Sequence, residues 1–259
     1  MERERNDMTP VEAAAALVWL VDMGADEVVQ EAAANRLAPP PAPAQQELAN
    51  VAPPAPRGDA ASIAAACSSL AEIEQALSRF DACPLKKTAT RLCFADGNPQ
   101  AHVMLIGEAP GREEDELGKP FVGRSGQLLD RMLAAIGVSR AESDPAKSVF
   151  ITNTIYWRPP GNRTPTETET QMCLPFLMRT IELQKPRFIV CLGATPTQRL
   201  LGRNDGILKL RGKWFDFGQA GQVIPLLATL HPAYLLRQPA QKRLAWRDFL
   251  ALAEVMAKN

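Results

Sequence analysis

The sequence predicts a three-layer α/β/α fold around a central four-stranded parallel sheet. Four short runs, at 102–107, 148–153, 188–193 and 223–230, are almost continuously apolar, as strands buried on both faces are. Amphipathic stretches at helical spacing lie between them. Regular alternation of strand and helix is the pattern of parallel crossover units. The bulk composition agrees. With 259 residues, 46% hydrophobic and 22% charged, the chain can bury a sizeable core. That excludes a fibrous repeat, a wholly disordered chain and a disulfide-stapled miniature fold. No run approaches the roughly 18 apolar residues of a membrane span, so no membrane association is expected. The opening MERERND mixes charges and lacks an apolar leader region. Five cysteines read as reduced thiols, and the expected location is cytoplasmic.

Each element has its own signal. Thr9, Pro10 and Glu12 form a capping box opening a helix over residues 10–34, bent near Gly24. Val18, Trp19 and Leu20 give that helix an apolar face that must dock on something. Residues 37–59 then hold seven of the 22 prolines, an extended tether. The domains expected are therefore a helical appendage at 1–36, an Ala/Pro-rich linker at 37–60 and a catalytic body at 61–259. Within the body, 61–79 reads as a helix. The strand at 102–107 precedes a helix over 125–136, where Leu128, Leu129, Met132, Leu133 and Ile136 share one face. The strand at 148–153 precedes a helix over 167–183. The strand at 188–193 leads into a helix from Thr195. The strand at 223–230 precedes a closing helix over 241–256. Charge divides along the same boundary. Residues 1–59 hold four basic and ten acidic side chains, and residues 60–259 hold 25 and 19. A moderately basic body is weak support for a phosphate-bearing partner.

In open parallel sheets, function collects at the carboxyl ends of the strands. The first strand runs into GEAPG at 107–111, then GKPFVGRSG at 118–126. The second ends at Asn153, and YWRPPGNR follows at 156–163. The third ends in Gly193, and the last runs into HPAYLLR at 231–237. Glu108, Asn153 and His231 should therefore surround one crevice. The glycine spacing matches neither a dinucleotide fingerprint nor a P-loop. Alone, Glu108 reads equally as a helix-capping carboxylate or as a base that orients water. Asn153 reads as a turn residue, or as an amide whose acceptor and donors suit a pyrimidine edge. A lone histidine is more often structural, but His231 sits at a sheet end before Pro232. Phe121 lies in a Gly/Pro-rich loop without an obvious core, which suits a stacking platform.

These motifs, in this order, resemble the family 4 uracil-DNA glycosylases. GEAPG at 107–111 with EDELGKPFVG at 114–123 and SGQLLD at 125–130 is similar to that family's first active-site motif. Thr152 and Asn153, with RPPGNRTPT at 158–166, resemble the middle motif, and LHPAYLLR at 230–237 the last. LRG at 210–212 and WRD at 246–248 also fit. The likeness covers roughly residues 80–250 and implies a monofunctional glycosylase of the uracil-DNA glycosylase fold. Its substrate would be uracil-containing DNA, and one flipped base needs one pocket, so a monomer is expected. By the family pattern Gly107, Phe121 and Asn153 bind uracil. His231 donates to the leaving base, and Glu108 stabilises the sugar cation or places water. Leu235, Leu236 and Arg237 enter the duplex, and Arg163, Arg211, Arg237 and Lys242 contact phosphates.

The cysteines depart from the pattern. Family members generally hold a [4Fe–4S] cluster on four cysteines. Here Cys83 and Cys173 stand at two of those places, while Phe80 and Trp157 replace the other two ligands and Tyr156 replaces a lysine. A cluster requires its thiolates, and Cys67, Cys93 and Cys191 are poorly placed as substitutes. The expectation is no cluster and no other cofactor; a retained [4Fe–4S] group is the disfavoured alternative. Two rival readings remain at this stage. Tyr156 leaves room for hypoxanthine or xanthine as the excised base. The other is a uracil-DNA binder with little turnover; some relatives in the resembled family capture the abasic sugar through a histidine in a basic insertion, and the segment from 153 to 165 has neither.

Overall fold

The computed structural model describes residues 57–258 apart from Ala220. The helix expected over 10–34, and all of the expected linker before Arg57, lie outside the described residues. The first described helix, α1 (Arg57–Ala66), starts inside the span read as linker. The single helix expected over 61–79 is two. Ser69 caps α2 (Leu70–Arg79), its side-chain oxygen accepting from the Glu72 amide at 3.2 Å. This local bond offers the backbone a new helix start, so the chain breaks after Ala66.

The sheet comprises β1 (Ala95–Gly97), β2 (Val103–Gly107), β3 (Val149–Asn153), β4 (Phe188–Leu192), β5 (Trp214–Gln219) and β6 (Gln222–Thr229). Their order across the sheet is β1-β3-β2-β4-β6-β5. The four expected strands form its parallel centre. The two edges, β1 and β5, are antiparallel additions. Antiparallel neighbours need no helical crossover, so helix–strand alternation does not reveal them. β1 is also too short to show periodicity.

The connecting helices are α3 (Arg112–Leu117), α4 (Arg124–Ala134), α5 (Glu167–Gln184), α6 (Ala194–Leu201), α7 (Ile207–Leu210), α8 (Pro232–Arg237) and α9 (Lys242–Lys258). Alternation along each strand loads both faces. Val103, Leu105, Val190 and Leu227 meet Leu129 and Leu133 of α4 and Phe249 and Leu252 of α9. Met104, Ile106, Ile189 and Leu226 meet Leu177 and Ile181 of α5 on the opposite face. This is the three-layer arrangement, each buried aliphatic contributing about 1.5–3 kcal/mol. A third apolar cluster joins α1, α2 and residues 155–157 to Cys173 and Phe176 of α5. No helix among the described residues is long and apolar enough to cross a membrane.

Candidate active site

Gly107 and Asn153 end neighbouring parallel strands and are register partners. Beyond them the chain is pinned. The Thr154 amide donates to the Gly107 carbonyl at 2.9 Å, and the Thr154 hydroxyl and Ile155 amide donate to the Glu108 carbonyl at 2.6 and 3.0 Å. These bonds fix Glu108 where strand order reverses, between β2 and β4, the position at which open α/β sheets place their ligands. A cleft of about 390 Å³ opens there. Glu108, Phe121, Asn153, Arg163, His231 and Arg237 all line it. The convergence expected of Glu108, Asn153 and His231 is therefore present.

Asn153 is 1% exposed, and its Oδ1 has no hydrogen-bond partner. An unpaired buried acceptor costs roughly 1–3 kcal/mol, and here it sits in the wall of a cavity. Phe121 is also buried. A Cβ added at Gly107 would lie 2.6 Å from its ring and closer still to Asn153 Oδ1. Glycine at 107 thus lets the ring and the amide both close onto the strand end. The Phe121 backbone has φ 54°, left-handed geometry that costs a bulky residue about 1–3 kcal/mol and is characteristic of functional loops.

His231 caps α8, with Pro232 at the first helical position. Its Nδ1 accepts the Ala233 amide at 3.1 Å. Burial, with the Arg237 charge adding to it, pushes the imidazole down to about 4. The ring is therefore neutral at physiological pH. Because Nδ1 is an acceptor, the proton belongs on Nε2, a tautomer assigned from this bond. The Phe121 and His231 rings lie 5.4 Å apart between centroids. Burial raises the Glu108 carboxyl above its ordinary range, opposed by a hydrogen bond from Thr195 in the first turn of α6.

The DNA-contact candidates divide. Arg237 is exposed on the cleft rim. Arg163 is there too, held by Glu169 through Nη1–Oε2 and Nη2–Oε1 bonds of 2.9 and 2.6 Å, which drop the Glu169 carboxyl to about 2. Arg211 does not line the cleft. Its Nε donates to buried Asp248 at 3.1 Å and its Nη2 to the Leu244 carbonyl at 3.0 Å. Asp248 also accepts the Thr229 hydroxyl at 2.7 Å. The LRG and WRD motifs thus meet as a brace on the strand that carries His231. Leu235 requires correction as a duplex wedge: it is fully buried, packed with Leu128, Leu230 and Ala245. A short helix alternates buried and open positions, which the triplet LLR does not disclose. Leu236 is only partly buried.

The residues at the cluster positions do not fit an iron–sulfur cluster. Phe80 and Trp157 are 4% and 2% exposed, and Cys83 and Cys173 are fully buried with them. Phe80 packs edge-on against Phe176 at 5.1 Å, and Trp157 against Tyr156 at 6.3 Å. The aromatic rings fill the volume beside the two thiols. Cys93 is turned away, its thiol donating to the Glu114 carbonyl at 3.0 Å, and Cys191 lies within β4. No group of three or more potential metal ligands gathers among the described residues. Tyr156 belongs to the same apolar cluster and does not line the cleft, which removes its bearing on base choice.

Fold and site together define an α/β protein with a cleft at its sheet's switch point, lined by Glu108, Phe121, Asn153 and His231. Residues 94–250 match the model of the uracil DNA glycosylase superfamily. The type-4 uracil-DNA glycosylase of Pyrobaculum aerophilum is 41% identical over 175 residues, covering 66% of this chain and 86% of that one. That of Archaeoglobus fulgidus is 37% identical over 195 residues, covering 74% and 95%. A type-5 enzyme from Pyrobaculum aerophilum is more distant, at 29% over 153 residues. The chain belongs to the uracil-DNA glycosylase superfamily, in its type-4 family.

Proposed function

We propose that the chain is a monofunctional uracil-DNA glycosylase that opens base-excision repair. The observation that carries this reading is the unpaired, buried Oδ1 of Asn153, on a residue that lines the cleft. Uracil presents an N3–H donor to that oxygen. Cytosine presents a lone pair there and is rejected, because a buried polar group left unpaired is costly. The base must leave the duplex to reach the cleft. Arg163 and Arg237 would hold flanking phosphates, and Leu236 would fill the vacated stack. Phe121 stacks on the base.

The C1′–N1 bond then breaks, and its electron pair passes into the ring toward O2. The neutral His231 donates Nε2–H to that developing oxyanion, a preorganised stabilisation of the kind that usually dominates catalysis. Glu108, as carboxylate, stabilises the sugar cation and places the water that attacks C1′. Uracil leaves as its anion and is protonated by solvent. Wild type should convert a single-U oligonucleotide into an alkali-labile abasic product under single-turnover conditions. Absence of that product would refute the reading.

Glu108 sets a pH signature. The rate falls as pH drops through its raised pKa, while His231 is still neutral above about 4. Glu108→Gln should flatten that acid limb and lower the rate about 10²-fold. The stability effect has the opposite sign. A carboxyl whose folded pKa is raised contributes stability below its unfolded pKa, and loses it as pH rises through the folded value. Charged Glu108 is therefore destabilising at pH 7, and Glu108→Gln should melt at a higher temperature there.

The enzyme is proposed to need no cofactor, supported by the aromatic packing at Phe80 and Trp157. Purified protein should contain well under one iron per chain, where a cluster supplies about four. An iron and sulfide assay giving the larger figure would end that proposal. Five free cysteines and a DNA substrate support a cytoplasmic enzyme, and a cleft lined entirely by one chain supports a monomer. For the chain's organisation, we propose the appendage at 1–36 and its tether as separate from the glycosylase body.

A further inference from the structure

We propose that Arg140 is the positioning residue that presents the Phe121 ring to the bound base; this rests on the uracil reading above. Arg140 follows α4, does not line the cleft, and has a side chain only 15% exposed. Its guanidinium donates to the Pro120 carbonyl at 3.0 Å and to the Phe121 carbonyl at 2.8 Å. Asp96 and Asp130 hold the same group, at 3.0 and 2.8 Å. From the other side, the Glu114 carboxylate accepts the Val122 and Gly123 amides at 3.0 and 2.9 Å. Two successive carbonyls and two successive amides are thus gripped from opposite directions, and the residue between them has φ 54°. The grip also admits α4 closely, since a Cβ at Gly126 would collide with the Phe121 carbonyl.

Freed of Arg140, a phenylalanine backbone relaxes toward negative φ, and the ring turns away from Asn153 and His231. Arg140 therefore acts on the base only through Phe121. A planar, forked donor is needed to reach two carbonyls and two carboxylates at once, which lysine cannot do.

The test is a double-mutant cycle on uracil excision. Arg140→Met should lower kcat/KM about 10²-fold, the scale of a displaced positioning group. In a Phe121→Ala background the same change should cost less than about threefold. Equal losses in both backgrounds would overturn the proposal, because a merely structural arginine weakens both alike. Should Arg140→Met not fold, Arg140→Lys keeps the charge for Asp96 and Asp130 and enters the same cycle. A second readout needs no substrate. With 4-fluorophenylalanine incorporated, the Phe121 resonance, assigned by its loss in Phe121→Leu, should shift or split in Arg140→Lys. An unchanged resonance would overturn the clamp. A wild type that excises no uracil would instead refute the function and leave this spectral test standing.

Discussion

His231→Ala is expected to lower the single-turnover rate of uracil release about 10²–10³-fold, the usual effect of deleting one oxyanion donor. Affinity for uracil-containing DNA should change only a few-fold, because the lost interaction strengthens as charge moves onto O2 and is weak before that. The reasoning depends on the imidazole being neutral. Its Nδ1 is committed to the Ala233 amide, and burial with Arg237 keeps the ring uncharged down to about pH 4. An imidazolium would need a second acceptor at Nδ1, and the cap offers it a donor. His231→Gln supplies an N–H of similar reach and should recover part of the loss. A parallel fall in binding and rate for His231→Ala would point to a uniform binding role and refute the assignment.

Gly107→Ala should be strongly damaging, because its methyl would strike two side chains that line the cleft. The new Cβ would stand 2.6 Å from the Phe121 ring and nearer still to Asn153 Oδ1. No relaxation of Gly107 resolves this, since β2 is buried and paired on both edges. Either the ring or the amide moves, or the base is excluded. A loss in kcat/KM of at least about 10²-fold follows, with uracil affinity falling alongside the rate. Melting temperature should fall modestly, so activity lost with the fold intact is the diagnostic pair. Activity within a few-fold of wild type would show that the seating of ring and amide against β2 does not set the rate.

Much of this was legible in the sequence, for physical reasons that differ by residue. The four central strands announced themselves because burial on both faces forces continuous apolar runs. Glu108, Asn153 and His231 followed from topology, since strand ends converge wherever strands are parallel. Phe80 and Trp157 stood out only through the family resemblance, which puts cluster ligands at their positions. Edge strands β1 and β5 were not legible: β1 is only three residues long, and β5 joins β6 by a tight hairpin with no helical interval. Leu235 misled because a two-residue run cannot say which leucine faces inward. Arg211 misled because a charged side chain looks the same whether it serves a phosphate or Asp248. Arg140 carried no signal, and Thr195 showed only as a helix start. Both act on the site from loops or helix starts distant in sequence, and only the folded contacts bring them near Phe121 and Glu108.

The strand order has a kinetic consequence. β2 pairs with β3 on one side and β4 on the other, and β6 joins only after β4. Each parallel pairing must close a long intervening loop before it gains anything, which slows folding relative to local hairpins. Glu108 and Asn153 can therefore meet in a half-assembled sheet, while His231 arrives only with β6. A sheet of β2, β3 and β4 alone would hold Glu108 and Asn153 without His231. Stopped-flow refolding is therefore expected to show activity recovering after the bulk of the secondary structure.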